Sequence, residues 1–287
     1  MRVVGQATTS SEISAGRAAM TRAANWFRQI ESCCNRFDAT SEVRMLCAQP
    51  GTPLVVSTML FQAVRFALAV AADTDGAFDP TIGQHMESLG FTRDYRTGLS
   101  NTSFLTSPTT ASFRDVELND EAQSITLHQP LLLDLGAVAK GLAIDMAARE
   151  LDPFENFLID AGGDVLVSGV NQDGGPWSIG IRHPRDTDQL IRTVHVSDVA
   201  VCTSGDYERV SESGQHHLVN AATRTSANTV ASATVIADSA MVADALATAA
   251  FCLGPRVGLA LLERHHVEGL IVTPSLVQFA TARMPLV

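Results

Sequence analysis

Residues 124–169 decide the fold: they read SITLHQPLLLDLG (124–136), then a segment of helical periodicity (137–150), then NFLIDAGGDVLVSG (156–169). Short runs rich in aliphatic and β-branched residues are typical of strands, and a Gly-Gly pair interrupts the last run. The order strand, helix, strand, strand is therefore predicted for the middle of the chain.

The rest of the chain continues this alternation of strands and helices. Apolar spacing predicts helices over 11–32, 57–72 and 239–252, and the Ser- and Thr-rich segment 97–112 reads as a surface loop. Further strands are predicted at PWSIGIRHP (176–184), TVHVSDVAVCTSG (193–205), HHLVN (216–220) and ASATVIA (231–237). This pattern predicts an α+β fold, with a mixed, largely antiparallel sheet core packed with helices. The length predicts a single domain over 1–287, or two intertwined lobes.

The composition limits the classes of function. With 46% hydrophobic and 18% charged residues the chain can bury a core, and a net charge of −11 argues against nonspecific nucleic-acid binding. No run approaches the ~18 apolar residues of a membrane span, so none is expected. Five cysteines without a CxxC spacing predict free thiols. We expect a cytoplasmic protein, and an exported form whose leader is removed stays open.

The most informative helix is Ala240–Leu253, AMVADALATAAFCL. Twelve of its fourteen residues are apolar, so it is expected to be buried nearly all round. Asp244 and Thr248 are four residues apart and project from one face. A buried carboxylate is costly unless it is paired or binds a metal. The spacing leaves two interpretations open: a metal site of hard oxygen ligands, or an Asp held by backbone amides with Thr248 bonded one turn back.

Four further motifs contain residues suited to binding, and each also has a structural interpretation. The segment Asp134–Gly141 (DLGAVAKG) predicts a glycine turn and a helix start that attract phosphate, or only a strand-turn-helix. The turn GAFDPT (76–81) places Phe78 either at a site or in the core. The motif DAGGD (160–164) reads as a bulge or a close backbone approach. His216 and His217 begin an apparent strand, which would send them to opposite faces.

These motifs, read in order, resemble the successive signatures of the FAD:protein FMN transferase (ApbE-like) family. The matching stretches are GAFDPTIG, DLGAVAKGLAID, DAGGD, PWSIGIRHP, AVCTSGDYER, HHLVN and ADALATAAFCLG, and ESCCNRFDATSEV (31–43) resembles the family's early segment. The resemblance implies an enzyme that cleaves FAD at its pyrophosphate with Mg²⁺, or Mn²⁺ as the alternative. It would transfer FMN to a Ser or Thr hydroxyl of a target flavoprotein, releasing AMP.

The resemblance also assigns roles to individual residues. His217 would be the catalytic base. The metal ligands would be Ala137 through its carbonyl, Asp244 and Thr248. Contacts to FAD are implied for Ala77, Phe78, Asp79, Asp134, Lys140 and Leu218, with Phe37 as a candidate for ring stacking.

One loop departs from the family pattern. Where the family has Asp-Pro-x-Thr-Gly, this chain has Asn220-Ala221-Ala222-Thr223-Arg224. If the family Asp orients the histidine, Asn220 weakens the base; if Asn220 only bonds within the strand end, the change is neutral. An FAD pyrophosphatase, a non-catalytic FAD-binding protein and an unrelated α+β protein remain the alternatives to the transferase.

Overall fold

The structure is a computed structural model of the 287-residue chain. It describes residues 1–4, 10–94, 98, 102, 111–211 and 214–287. Most of the predicted loop 97–112 lies outside the described residues. In the described part of the chain, no helix has the length and apolar character needed to cross a membrane.

The four helices predicted over 11–32, 57–72, 137–150 and 239–252 are found within two residues at each end, and the described part of the chain has three further short helices. In chain order they are α1 (Ser10–Cys34), α2 (Glu42–Cys47), α3 (Thr58–Asp73), α4 (Gly83–Ser88), α5 (Gly136–Arg149), α6 (Ala240–Leu253) and α7 (Pro255–Arg264), with a 3₁₀ turn at Phe113–Asp115. Ser57 and Ser239 cap α3 and α6, because their hydroxyls accept the amides of Leu60 and Val242.

The strands are short and pair almost entirely with antiparallel partners. They are β1 (Arg2–Val4), β2 (Leu54–Val55), β3 (Val116–Asn119), β4 (Ser124–Leu127), β5 (Asn156–Ala161), β6 (Asp164–Ser168), β7 (Trp177–His183), β8 (Asp186–Val196), β9 (Val199–Gly205), β10 (Val219–Asn220), β11 (Thr225–Ser226), β12 (Ser232–Ala237), β13 (Glu268–Val272) and β14 (Gln278–Ala280). Every pairing between these strands is antiparallel, so the predicted α+β class with a largely antiparallel sheet core is confirmed.

The chain divides into two compact units, each made of separate segments. The first unit contains residues 1–28, 140–207 and 228–287, and the second contains residues 29–139 and 208–227. The prediction of one domain or two intertwined lobes stays a prediction.

The first unit is built on a seven-stranded sheet of order β1-β5-β6-β9-β12-β13-β14. Its strand β12 is buried along its whole length, because both faces of the sheet are covered. Val201 belongs to an apolar cluster with Trp177 and Val194 of the β7–β8 hairpin. The next residue, Cys202, points the other way, and its thiol lies 3.7 Å from the Ala240 carbonyl of α6. The sheet thus lies between a hairpin and α6.

The second unit contains smaller sheets and several short helices. Strands β2, β4 and β3 form one sheet, and β10 and β11 form a hairpin. Helix α3 buries an apolar stripe that includes Leu60, Val64 and Ala67, as its helical spacing predicted. All five cysteines of the chain are described and buried, and none of them forms a disulfide, which confirms the expectation of free thiols.

Two local predictions were wrong. The DAGGD motif is neither a bulge nor a close approach. Gly162 and Gly163 have φ values of 71° and 97° and form the two-residue turn of the β5–β6 hairpin, and no atom lies within 4 Å of an added Cβ at either. His216 and His217 also do not begin a strand, because β10 starts at Val219; both histidines are half-buried.

Candidate active site

Helix α6 is anchored by a carboxylate of α5. The Asp145 side chain accepts hydrogen bonds from the amides of Ala240 and Met241 at 2.7 and 3.0 Å, and from the Ser239 hydroxyl at 2.7 Å. Unpaired amides at a helix start favour a negative charge, so this bond set fixes the start of α6.

Asp244 and Thr248 lie one turn apart on this anchored helix, as predicted. Asp244 is only 5% exposed, and its Oδ2 accepts the Gly141 amide at 3.2 Å. The Thr248 hydroxyl lies 2.9 Å from the Ser204 hydroxyl of β9. Each side chain therefore presents oxygen atoms from one face of α6.

Lys140 lies beside this pair and contacts a second buried carboxylate. Its Nζ pairs with Oδ2 of Asp164, whose other oxygen accepts the Thr203 amide at 3.0 Å. Burial alone would lower the pKa of Lys140, but the carboxylates of Asp244 and Asp164 outweigh it and raise that pKa. Lys140 is therefore a permanent cation.

Gly141 is required by the close contact between α5 and α6. A Cβ placed on Gly141 would lie 2.4 Å from the Ala240 carbonyl oxygen and 2.5 Å from the Met241 Cα. Both are main-chain atoms, so a side chain at position 141 can fit only if α6 moves. The glycine thus brings its own amide to the Asp244 carboxylate.

We expect Gly141→Ala to destabilise the protein by about 1–3 kcal/mol, because overpacking must displace the helix carrying Asp244. Thermal unfolding measures the change. Gly16→Ala in α1 is the matched control: its Cβ would meet only Phe154 carbons at 3.9 Å, and alanine is the better helix former. Equal melting temperatures for Gly141→Ala and wild type would contradict the close contact.

In the second unit, Asp134 is held by an arginine that the sequence did not single out. Arg36 is 4% exposed, and its Nε donates to Asp134 Oδ2 at 2.7 Å. Asp134 Oδ1 accepts the Gly136 amide at 2.9 Å at the start of α5. Burial would raise the pKa of Asp134, but Arg36 outweighs it and lowers that pKa. The Arg36 guanidinium lies 4.0 Å from the centroid of the half-buried Phe37 ring.

The GAFDP turn forms a compact loop beside Asp134. Ala77 and Phe78 are almost fully buried, and the Asp134 amide donates to the Pro80 carbonyl at 2.7 Å. Asp79 accepts the Thr81 amide and hydroxyl, and its pKa is raised, mainly by burial. Asp79 also lines a polar cleft of about 260 Å³ together with His85, Ala221 and Arg224.

His217 has a defined tautomer. Its Nδ1 lies 3.3 Å from the Arg209 carbonyl oxygen, which can only accept a hydrogen bond, so Nδ1 carries the proton and Nε2 the lone pair. The ring meets Phe91 edge-on, with 6.4 Å between centroids. Burial, and then the charge of Arg209, lower the pKa of His217 to about 4. At neutral pH the imidazole is therefore uncharged and able to accept a proton at Nε2.

This pKa predicts a pH dependence of stability. The folded pKa of about 4 lies below the ordinary value of about 6.5, so the unfolded chain binds more protons between these values. The contribution of His217 is complete above about pH 6.5 and declines as the pH falls towards 4. Histidine resonances followed by NMR should titrate near 4 for His217, and Arg209→Gln should raise that value. A His217 titration near 6.5 would contradict the burial argument.

The loop that departs from the family pattern is ordered by Asn220 itself. Asn220 Oδ1 accepts the Thr223 amide at 3.1 Å, and its carbonyl accepts the Arg224 amide at 2.7 Å. Arg224 has φ of 57°, a conformation that glycine adopts most easily. The geometry supports the neutral interpretation of Asn220, since an aspartate would accept the same amide.

The structure thus groups the predicted residues within each unit. In the first unit, Lys140, Asp244 and Thr248 lie together. In the second, Asp134 lies beside Arg36 and the GAFDP turn, and its charge also acts on His217. Leu218 is buried, and Ala137 lies in the first turn of α5, three residues before Lys140. Sequence reasoning missed Arg36, Arg209 and Asp164, although all three lie inside motifs that the sequence analysis quoted.

The donor set near Asp244 suits a hard divalent cation. Among the described residues, no three His, Cys, Asp or Glu side chains are grouped to hold a metal ion. One carboxylate and one hydroxyl, a turn apart, are hard oxygen donors, and Mg²⁺ takes such ligands together with phosphate oxygens and water. These residues therefore fit Mg²⁺ when a phosphate-bearing substrate supplies the rest.

Fold and site together define an α+β protein with an oxygen-donor pair beside a fixed lysine cation and, in its other unit, a neutral histidine. The ApbE family profile matches residues 4–271, and the chain belongs to the ApbE family. It is 31% identical over 228 residues to an FAD:protein FMN transferase of Vibrio cholerae, covering 77% of this chain and 68% of that relative. It is 31% identical over 263 residues to an FAD:protein FMN transferase of Treponema pallidum, covering 84% and 72%.

Solved structures give the same fold. The crystal structure of the ApbE protein from Thermotoga maritima aligns with a TM-score of 0.82 at 29% identity, covering 93% of this chain and 89% of that one. The flavin transferase ApbE from Vibrio cholerae aligns with a TM-score of 0.81 at 24% identity, covering 98% and 92%. The second likeness supports the fold alone.

Proposed function

We propose that this protein transfers the FMN part of FAD to a Ser or Thr hydroxyl of a target flavoprotein and releases AMP, with Mg²⁺ as the metal ion. The observation that carries the proposal is its similarity, across more than two thirds of their length, to relatives named FAD:protein FMN transferase. FAD and a flavoprotein are accordingly the two substrates.

The reaction replaces the phosphoanhydride bond of FAD by a phosphate ester bond to the acceptor. The acceptor oxygen forms a bond to the phosphorus on the FMN side of the pyrophosphate, and the bond from that phosphorus to the AMP oxygen breaks. Nε2 of His217 accepts the proton of the attacking hydroxyl, which requires an uncharged imidazole. The hydrogen bond to the Arg209 carbonyl keeps the lone pair on Nε2, so the base is fixed in its reactive tautomer.

Asp244 and Thr248 would hold the Mg²⁺ ion, with the carbonyl of Ala137 as a third protein ligand. In a regular α-helix the Gly141 amide donates to the Ala137 carbonyl, so the bond from Gly141 to Asp244 competes with that helical bond. The Ala137 oxygen then retains capacity for another partner. When bound, a divalent ion neutralises charge on the phosphate oxygens during phosphoryl transfer.

The remaining predicted residues are assigned to FAD. Lys140 supplies a fixed positive charge for a phosphate oxygen, and Phe37 offers a half-buried ring for stacking. Asp79 and Asp134 order the loops that face the ligand. Almost complete burial limits three residues to backbone contacts or to an apolar wall; these are Ala77, Phe78 and Leu218.

The test is incubation of the full chain with FAD and Mg²⁺, with and without a flavoprotein domain that contains an acceptor Ser or Thr. We expect a covalent FMN adduct, detected by mass spectrometry, and one AMP released per adduct. Omission of Mg²⁺ is the control. Free FMN and AMP without an adduct would replace the transferase with a pyrophosphatase. Tight FAD binding without either product would indicate a non-catalytic FAD-binding protein.

A further inference from the structure

Asp164 is a buried carboxylate that the proposed chemistry does not use. It is 1% exposed and follows the Gly-Gly turn of the β5–β6 hairpin. A buried charge is costly unless paired, and here the partners are the Thr203 amide and the Lys140 ammonium. An uncharged residue at this position would avoid the cost of burying a charge. The sheet itself therefore does not require Asp164 and its two partners.

Lys140 connects Asp164 to the proposed metal ligand. Lys140 precedes Gly141, and the Gly141 amide donates to Asp244 at 3.2 Å, so the lysine backbone is fixed next to that carboxylate. The ammonium at the end of the Lys140 side chain pairs with Asp164. The charges of both carboxylates act on the ammonium, that of Asp244 most strongly. One ammonium group is therefore shared between two buried carboxylates.

We propose that Asp164 is a positioning residue that holds the Lys140 ammonium and thereby keeps the Asp244 carboxylate able to bind a divalent cation. An ammonium and a divalent cation compete for the same carboxylate. The ion pair with Asp164 supplies a second negative charge that compensates the ammonium, so Asp244 does not have to compensate it alone. The inference rests on the proposed metal role of Asp244.

Counting charges gives the expected order of cation affinities. The side chains of Asp164, Lys140 and Asp244 together carry a charge of −1 before a divalent cation binds, and the charge including the cation is +1 afterwards. Asp164→Asn raises these values to 0 and +2 and leaves the ammonium only Asp244 as a carboxylate partner. Lys140→Met lowers them to −2 and 0. The double variant Lys140→Met/Asp164→Asn returns them to −1 and +1.

The experiment is Mn²⁺ binding to the full chain, without FAD, followed by electron paramagnetic resonance of the free ion. We expect Asp164→Asn to weaken binding about tenfold and Lys140→Met to strengthen it, because each changes one charge close to the proposed metal ligand. The Mn²⁺ affinity of the double variant should be close to that of wild type, although each single substitution changes it. Lys140→Met separates this role from a purely structural one, because a pair that only stabilised the fold would not give tighter Mn²⁺ binding when its lysine is removed.

Asp160→Asn is the matched control, because Asp160 lies at the other end of the same turn, is exposed, and accepts only a local amide from Gly163 at 3.0 Å. Its Mn²⁺ affinity should equal that of wild type. If Asp164→Asn fails to fold, the double variant is compared with Lys140→Met, and equal affinities of those two overturn the inference.

Two results overturn the inference in different ways. Wild type and Asp164→Asn binding Mn²⁺ equally would remove the positioning role and leave the metal site in place. No Mn²⁺ binding by wild type, either alone or with FAD added to supply phosphate oxygens, would remove both the metal role of Asp244 and the inference that rests on it. The inference is supported if Lys140→Met binds Mn²⁺ most tightly, wild type and the double variant bind it equally, and Asp164→Asn binds it most weakly.

Discussion

Replacing Asp244 by alanine is expected to reduce metal-dependent FAD turnover about a thousandfold, while the protein stays folded. The carboxylate is the one charged group that we assign to the Mg²⁺ ion. A bound metal contributes several kcal/mol, and each 1.4 kcal/mol corresponds to about tenfold in rate. The variant also removes a buried charge from an apolar helix, and Lys140 keeps Asp164 as its partner, so stability need not fall. Release of AMP from FAD at saturating Mg²⁺ measures the effect.

Thr248 supplies the matched comparison on the same face of α6. Thr248→Ser keeps the hydroxyl and should retain near wild-type turnover, whereas Thr248→Val keeps the shape and loses the ligand, so its turnover should fall. Circular dichroism confirms folding in each case. Wild-type turnover by Asp244→Ala would show that the metal ligands lie elsewhere.

His217→Gln is expected to lower the rate of FMN transfer by about 10²–10⁴-fold, the usual contribution of a positioned base. Glutamine preserves much of the side chain's volume and polarity, but it cannot accept the proton of the attacking hydroxyl. The affinity for FAD should change little, so the loss should appear in kcat. Single-turnover formation of the covalent FMN adduct is the appropriate measurement.

The neighbouring His216 is the control for this variant. It is also half-buried, but nothing assigns it to the reaction, so His216→Gln should transfer FMN within about tenfold of wild type. Partial rescue of His217→Gln by added imidazole would support a missing base. Equal losses in the two variants would point to a structural cause instead.

The elements with a strong local pattern could be predicted from the sequence. The apolar helix with polar residues only at Asp244 and Thr248 is found at Ala240–Leu253, because a helical face is defined by residues three or four positions apart. The helix over 57–72 was predicted within one residue at each end. In both cases the information lies within a short window of the chain.

The parts that failed depend on partners distant in sequence. Asp164 lies in a motif that suggested only a distorted strand, and its ion pair with Lys140 joins residues from separate elements. Arg36 precedes the quoted Phe37, yet its bond to Asp134 spans 98 positions. The histidine pair was misread because alternation applies only inside a strand, and β10 begins two residues after His217. A local sequence pattern does not indicate which charged residues, distant in the sequence, form an ion pair.

The close contact at Gly141 has a consequence for how the sequence can diverge. The distance from the lysine-bearing helix to the Asp244 carboxylate is set by main-chain atoms, with Gly141 against the Ala240 carbonyl. Apolar side chains elsewhere along α6 can then be exchanged for others of similar volume without moving the carboxylate, since such exchanges are tolerated. A saturation library over α5 and α6 should accept Leu, Ile, Met and Val at Leu246 or Leu253 and reject nearly everything at Gly141. Along α5, mutational tolerance would thus be lowest at Gly141.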